Sequence, residues 1–248
     1  MKILVCISHV PDTTSKINFT EADSKFDTNG VQFVINPYDE FGLTRAMWFK
    51  EKQGAHVTVV NVGGPETEPT LRKALAIGAD SAIRVNSAAK DAFFVAKQLA
   101  KVIQDGDYNL IIAGRESIDY NGGTVPGMVA ALIDSNFINN CIGLEIDGEN
   151  VVAIREIDGG KETISTTLPL VIGGQKGLVE ESDLKIPNMR GIMTARQKPL
   201  TVLEPTPDGA QSTSVSFEKP APKGAVTLVD ADNLDELITL LHNEAKVI

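Results

Sequence analysis

The chain of 248 residues contains few of the side chains that metal and disulfide chemistry need. Its two cysteines are Cys6 and Cys141, and its three histidines are His9, His56 and His242. Their spacing matches no zinc-binding pattern, so the sequence predicts no metal site. Both cysteines fall in strand-like apolar runs, which predicts buried thiols rather than a disulfide framework.

Positive charge is also scarce, with 23 Lys and Arg against 33 Asp and Glu and a formal net charge of −10. A nucleic-acid binder needs a basic surface to neutralise phosphates, so this class is disfavoured, as is docking on an anionic membrane. No apolar run approaches the ~18 residues of a membrane-spanning helix. The apolar start is interrupted by His9 and Pro11 too soon for a signal peptide. We therefore expect a cytoplasmic protein.

The sequence motifs of common catalytic sites are missing. There is no Gly-x-Ser-x-Gly nucleophile turn and no Walker A loop. His9 follows the first predicted strand, but a hydrogen-bonded structural histidine is favoured over a general base. The sequence therefore predicts a protein without an independent catalytic site.

Strand and helix patterns alternate through the first 135 residues. Strands are predicted at 2–8, 56–62, 81–85 and 109–113, and helices at 37–53, 65–77, 91–104 and 127–133. Asn36 is expected to cap the first helix, with Pro37 at its first position and two acids facing the helix end. This order predicts a Rossmann-like α/β fold, a parallel sheet with helices on both faces. Ligands of such sheets bind at the carboxyl ends of the strands.

Beyond residue 135 short strands follow one another. Segments 142–146, 151–157 and 163–167 are joined by Asp147-Gly148 and Asp158-Gly159-Gly160, which predicts antiparallel hairpins. Residues 170–172 are expected to return to the main sheet. The proline-rich residues 204–224 are typical of a linker, and 233–246 have the apolar stripe of an amphipathic helix that we expect to pack on a partner. We divide the chain into an α/β domain (1–203) and a linker with C-terminal arm (204–248).

Two glycine-rich turns are candidates for phosphate binding. Gly63-Gly64-Pro65 links a strand to a helix, and residues 114–124 do the same further along the chain. Glycine lets backbone N–H groups approach an anion at a positive helix end. Although neither turn is a G-x-G-x-x-G motif, the pattern favours nucleotide binding over a purely structural turn. We expect one edge of the sheet to hold three segments that could converge on one ligand, namely Ser8-His9, 36–39 and 114–127.

Several motifs occur together in one order along the chain. They are Ile3–Ser8 followed by Val10-Pro-Asp12, Asn36-Pro37, Leu71-Arg-x-Ala-Leu-x-x-Gly-Ala-Asp80, Gly114-Arg-x-x-Ile-Asp119, Arg155-Glu-Ile-Asp-Gly-Gly-x-Glu162 with Leu168-Pro169, and Ile186-Pro-Asn188. With these motifs the chain resembles, from end to end, the β subunit of electron-transfer flavoproteins. The Glu-Ile-Asp-Gly-Gly segment is the most specific of them.

The resemblance implies a fold, partners and cofactors. It implies a Rossmann-like domain of the adenine-nucleotide α-hydrolase-like type, with a C-terminal arm that embraces an α subunit. It also implies a heterodimer with one FAD, bound mainly by α. Such a heterodimer is expected to take electrons from flavoprotein dehydrogenases, such as acyl-CoA dehydrogenases, to a quinone reductase. The β subunit of most members buries a structural AMP.

The resemblance also assigns residues to these roles. Tyr38 occupies a position near the dimethylbenzene edge of the flavin. The resemblance implies that partner dehydrogenases dock at a site formed by Ile186, Pro187, Asn188 and Met189. The AMP pocket falls on Cys6, Asn36, Pro37, Tyr38, Asp39, Val62, Tyr120, Asn121, Gly122, Gly123, Thr124, Val125, Pro126 and Gly127.

Two alternatives stay open at this point. One is an electron-bifurcating β subunit whose second FAD accepts hydride from NADH. Thr124-Val125-Pro126 stands where the family usually has Gln-x-Gly, which weakens that reading because bifurcating members are more regular here. The other is a free-standing nucleotide-binding module resembling universal stress proteins, which would form a stable homodimer without an α subunit.

Overall fold

A computed structural model describes all 248 residues, in which strands and helices alternate as the sequence predicts. In chain order the strands are β1 (Lys2–Cys6), β2 (His9–Pro11), β3 (Phe19–Thr20), β4 (Lys25–Phe26), β5 (Phe33–Ile35), β6 (His56–Val62), β7 (Ser81–Val85), β8 (Leu110–Gly114), β9 (Asn136–Asp147), β10 (Asn150–Ile157), β11 (Gly160–Thr167), β12 (Leu170–Gly174) and β13 (Leu200–Leu203). The helices are α1 (Pro37–Gln53), α2 (Glu68–Ile77), α3 (Ala92–Gly106), α4 (Val125–Leu132), α5 (Met189–Ala195) and α6 (Leu234–Thr239), the last continued by a π-helical turn over Leu240–Ala245. No helix combines the length and apolar character needed to cross a bilayer.

Nine strands form one sheet in the order β11-β10-β9-β12-β8-β1-β6-β7-β13. The seven strands from β9 to β13 in this order run parallel, and β10 runs antiparallel to both of its neighbours. The predicted parallel sheet, its hairpins and the return of residues 170–172 are therefore confirmed. The chain builds outward from β1 in one direction through β6 and β7, then continues on the other side with β8. The switch point between β1 and β8 is where such sheets bind ligands.

Both faces of the sheet are covered, so its strands contribute to two cores. Ile3 and Val5 of β1 belong to one apolar cluster, with Leu43 of α1 and Leu71 of α2. Leu4 and Cys6 of the same strand belong to the other, with side chains of α3 and α4. The alternation follows from the period of two along a strand. Both cysteines are free and buried, as predicted.

Two local predictions need correction. Residues 65–77 are not one α-helix, because Pro65–Thr67 form a 3₁₀ turn before α2 begins at Glu68. Asn36 stands at the start of α1 but its side chain makes no capping bond. Instead its amide donates to the carbonyl oxygen of Glu116 at 2.9 Å and accepts from the amide of Ile118 at 3.3 Å. Asn36 therefore joins α1 to the loop after β8.

Candidate functional site

A cavity of about 600 Å³ opens at the switch point of the sheet. The ends of β1, β6 and β8 supply Cys6, Val62 and Gly114 to its wall. Val125 and Pro126, at the start of α4, face the same space. Its volume is within the 300–1,000 Å³ typical of small-molecule sites, and its walls mix apolar side chains with backbone from a loop.

The residues assigned to the AMP pocket divide into four groups. Pro37 and Tyr38 line a neighbouring, larger cavity of about 1210 Å³. Tyr120 lines both cavities. Asn36 is fully buried behind the wall, where it holds the loop after β8. The structure brings together at the first cavity Cys6, Asp39, Val62, Tyr120, Gly122, Val125 and Pro126. Asn121, Gly123, Thr124 and Gly127 belong to the loop and helix start beside it, without lining it.

Asp39 connects the two strands on either side of the switch point. One carboxylate oxygen accepts from the amide of Ser8 at 2.7 Å, and the other accepts from the amide of Gly114 at 2.8 Å. The residue is buried, and this burial raises the pKa of Asp39 to about 7 although the two amide hydrogen bonds lower it. The same carboxyl group raises the pKa of the Cys6 thiol, which burial already raises far above its usual range. Cys6 is therefore an uncharged wall residue.

Gly114 is required by the close approach of α1 to the end of β8. A Cβ at this position would lie 2.5 Å from Oδ1 of Asp39 and 2.7 Å from Cβ of Tyr38. Gly122 differs, because a Cβ there would meet no atom of the chain within 4 Å. Gly114 therefore serves the packing of the cavity wall, whereas Gly122 leaves backbone accessible to whatever fills the cavity.

The start of α4 offers unpaired backbone donors. Thr124 stands at the N-cap without a capping bond from its side chain, and Pro126 has no N–H. The amides of Val125 and Gly127 lie in the first turn, where an α-helix leaves its N–H groups without intrahelical acceptors. With the positive end of the helix, these donors suit an anionic group such as a phosphate.

The acidic side chains around the cavity are already occupied by donors. Glu66 accepts from the amide of Gly64 at 3.1 Å. Glu116 pairs with Arg115 at 3.1 Å, and Asp119 accepts from the amide of Tyr120 at 2.9 Å. These carboxylates are therefore held in place around the opening by donors of the chain itself.

The larger cavity is lined by aromatic side chains. His9 stacks on Phe33 with ring centroids 4.3 Å apart, and its Nδ1 lies 2.8 Å from Oγ1 of Thr70. Burial lowers the pKa of His9, so the ring is neutral at physiological pH. These contacts support the structural role expected for this histidine. Tyr38 faces the same cavity, with the guanidinium of Arg115 5.4 Å from its ring centroid.

Sequence reasoning missed one part of the first cavity. Ser212, Thr213 and Ser214 line it, although they lie in the segment that the sequence predicts to be a linker. Residues 88–92, before and at the start of α3, line it as well. A run of small polar residues in a proline-rich stretch carries no local signal for a binding site. Only the tertiary structure brings these segments together.

A separate apolar surface surrounds Ile186 and α5. Ile186 is 80% exposed, Met189 76% and Met193 69%, so these side chains do not pack on the sheet. The other side of α5 lies against α2 so closely that a Cβ on Gly191 would approach the carbonyl oxygen of Ala76. The small residue at position 191 lets α5 fit closely on α2, which leaves the larger apolar side chains in solvent.

The sheet topology, the cavity at the switch point and the glycine-containing loop before α4 define a Rossmann-like α/β protein. The family model described as "Electron transfer flavoprotein domain" matches residues 23–208. The chain is 36% identical to the electron transfer flavoprotein subunit beta of Bacillus subtilis (strain 168), over the full length of both chains. It is 30% identical to the subunit of the same name from Bradyrhizobium diazoefficiens, also over both full lengths. It is 31% identical to that of Dictyostelium discoideum, over 96% of this chain and 97% of the relative.

The chain therefore belongs to the electron-transfer flavoprotein family. The resemblance drawn from its motifs is confirmed.

Asp39 is expected to make the stability of the fold depend on pH. Its pKa rises from 3.8 to about 7 on folding, so the folded protein holds the extra proton between these values. The contribution of Asp39 to the free energy of unfolding should therefore fall as pH rises from about 4 to about 7, and then level off. Asp39→Asn cannot titrate, so the stability of wild type relative to this variant should decrease over the same range. Urea unfolding of both proteins at about pH 5 and about pH 7.5 measures this. An equal difference at the two pH values would contradict the raised pKa.

Proposed function

We propose that this chain is the β subunit of a heterodimeric electron-transfer flavoprotein. In this role it works in the cytoplasm and carries electrons from flavoprotein dehydrogenases, such as acyl-CoA dehydrogenases, to a quinone reductase. The main support for this proposal is the cavity at the switch point, which lies beside the amide donors of α4 in a chain of this family. The subunit has no catalytic centre of its own in this proposal. It holds a nucleotide and completes the surroundings of a flavin.

The residues around the smaller cavity fit AMP. Its volume of about 600 Å³ suits a mononucleotide, and the apolar Val60, Val62 and Leu99 in its wall offer a surface for a base. The open space at Gly122 and the free amide of Val125, at the positive end of α4, would receive the phosphate. Pro126 offers no donor, so the phosphate would rely on fewer amides than in members with Gln-x-Gly at this place.

FAD would be held mainly by the α subunit, with Tyr38 of this chain at its edge. Tyr38 borders the larger cavity, beside the aromatic side chains of Phe33 and Phe41. An aromatic side chain at the rim of a flavin would exclude water and so influence its reduction potential. When bound, the flavin supplies the redox chemistry, while this chain's residues orient the ring and limit its contact with water.

The C-terminal arm would bind the α subunit, and the surface of Ile186, Pro187, Asn188 and Met189 would dock dehydrogenases. The arm ends in α6, whose apolar side chains Leu234, Leu237 and Ile238 are exposed in the isolated chain. The docking surface carries Arg190 and Arg196 among its exposed apolar side chains. Flexible methionines inside a charged rim suit a surface that binds more than one partner.

The deciding experiment is a cofactor count on the complex. We expect one FAD and one AMP per heterodimer when this chain is co-expressed with its α subunit, purified, denatured and separated by chromatography. Two FAD and no AMP would instead assign hydride chemistry to this subunit, as in bifurcating members. A homodimer that forms without α and contains a nucleotide but no flavin would support the free-standing module.

A further inference from the structure

The chain after β13 folds back over its own domain before it reaches α6. We call residues 206–219 the strap. At its start, the buried Gln98 of α3 donates to Oγ1 of Thr206 at 2.6 Å and accepts from the amide of Thr206 at 2.8 Å. Asp208 then pairs with Lys97 at 2.6 Å. The start of the strap is thereby fixed to α3.

A second attachment lies at the beginning of α3. One oxygen of Asp91 caps this helix by accepting from the amide of Phe94 at 2.7 Å. Its other oxygen accepts from the amides of Gln211 and Ser212 at 2.5 and 2.7 Å. A single carboxylate therefore joins the helix start to the middle of the strap, at Gln211 and at Ser212, the first of the three strap residues that line the smaller cavity.

The far end of the strap is attached to the β3–β4 hairpin. Phe217 stacks on Phe19 with ring centroids 5.0 Å apart and an angle of 10° between the rings. Its amide donates to the carbonyl oxygen of Asp23 at 2.7 Å. Lys219 donates to the side chain of Asn18 at 2.7 Å. The strap is thus held on two separate parts of the domain, α3 and the hairpin.

Between these attachments, Ser212, Thr213 and Ser214 form part of the cavity wall. We propose that the strap is a movable wall of the nucleotide cavity, and that it must open for AMP to enter or leave. Thr213 and Ser214 add two hydroxyl groups that contact the bound nucleotide. This inference rests on the proposed function, because it takes the cavity to be the AMP site.

The contacts of the strap suit a part that opens while the domain stays folded. They are mostly hydrogen bonds, with one ion pair and the aromatic contacts of Phe217 with Phe19 and Tyr120. Segments with few buried apolar contacts open locally at low free-energy cost. A bound nucleotide that contacts the strap adds to the cost of opening, so the release of AMP becomes slow.

The test uses the complete heterodimer and radiolabelled AMP. After loading, the label is chased with excess unlabelled AMP, and the fraction retained on the protein is followed over time. The variant Ser212→Pro with Phe217→Ala removes the amide and hydroxyl donors of Ser212 to Asp91 and the aromatic contacts of Phe217 with Phe19 and Tyr120. We expect it to release AMP at least about tenfold faster than wild type, as the loss of these hydrogen bonds and aromatic contacts implies. Val215→Ala is the matched control, since this side chain is 83% exposed within the same strap.

Hydrogen exchange gives a second measurement on the wild-type complex. AMP should slow exchange at the amides of Gln211, Ser212 and Phe217. If the variant releases AMP at the wild-type rate, or these amides exchange equally with and without AMP, the strap is not a wall of the site, although AMP binding stands. If the wild-type complex binds no AMP at saturation, the nucleotide site and the strap are both refuted.

Discussion

Replacing Leu237 and Leu241 together with aspartate is expected to abolish assembly with the α subunit while this chain stays folded. Leu237 is 40% exposed, and the nearby Leu234 and Ile238 are exposed as well. In the proposed heterodimer these side chains are buried on the α subunit. Burying a leucine is worth about 1.5–3 kcal/mol, so losing two weakens binding by about a hundredfold or more, before the cost of burying two charges.

The control for this prediction is Asn243→Asp, which adds a carboxylate at a polar position of the same segment. Co-expression with a tagged α subunit, followed by affinity purification and sedimentation analysis, measures assembly. The control should assemble like wild type. If the double variant is also recovered in full with the tagged subunit, α6 does not bind α. Thermal unfolding of the isolated chain should be unchanged in both variants, because α6 lies apart from the sheet.

Ile186→Asp is expected to lower kcat/KM for reduction by an acyl-CoA dehydrogenase about thirtyfold. Ile186, at 80% exposure, is the most exposed large apolar side chain of the proposed docking surface. A central apolar contact of an interface is worth about 2 kcal/mol or more, and each 1.36 kcal/mol is a factor of ten in rate. The measurement is the steady-state reduction of the purified heterodimer at varied concentrations.

Two comparisons separate docking from damage to the flavin site. Ile186→Leu keeps an apolar side chain of similar size and should retain most of the wild-type rate. Reduction of Ile186→Asp by dithionite, which needs no docking surface, should match wild type. Equal kcat/KM for Ile186→Asp and wild type with the dehydrogenase would show that docking occurs elsewhere.

The sheet was predictable because its signals are local. The strands around β1 are nearly continuous apolar runs, as expected where helices cover both faces. The hairpin turns contain Gly148 and Gly159 at φ +60° and +79°, which are conformations that glycine adopts without strain. The positions of these turns therefore followed from the Asp-Gly pairs alone.

The missed elements depend on distant partners. α5 has only seven residues, too few for an apolar period, and it is held by the cap from Asn188 and by close contact between Gly191 and α2. β13 joins the sheet through β7, more than a hundred residues earlier in the chain. The linker interpretation of residues 204–224 failed to anticipate the strap for the same reason, since Ser212 and Asp91 are 121 residues apart. No local pattern reports such contacts.

The candidate site was predictable in part. Its place at the strand ends followed from the order of strands and helices, and Cys6, Asp39, Val62 and Gly122 do meet there. The division between two cavities was not predictable. Pro37 and Tyr38 line the larger cavity, whereas Asp39, which follows them directly in sequence, lines the smaller one. The role of Asn36 also differs from the expected cap, as its hydrogen-bond partners lie 80 and 82 residues away.

The exposed apolar side chains of α6 have a consequence for how the cell must make this protein. A β chain synthesised in excess would present Leu234, Leu237 and Ile238 to water with nothing to cover them. Unpaired apolar surface of this kind promotes aggregation and capture by chaperones and proteases. Matched synthesis of the two subunits, as from neighbouring genes in one transcript, would keep this surface covered, and any surplus of β would be short-lived.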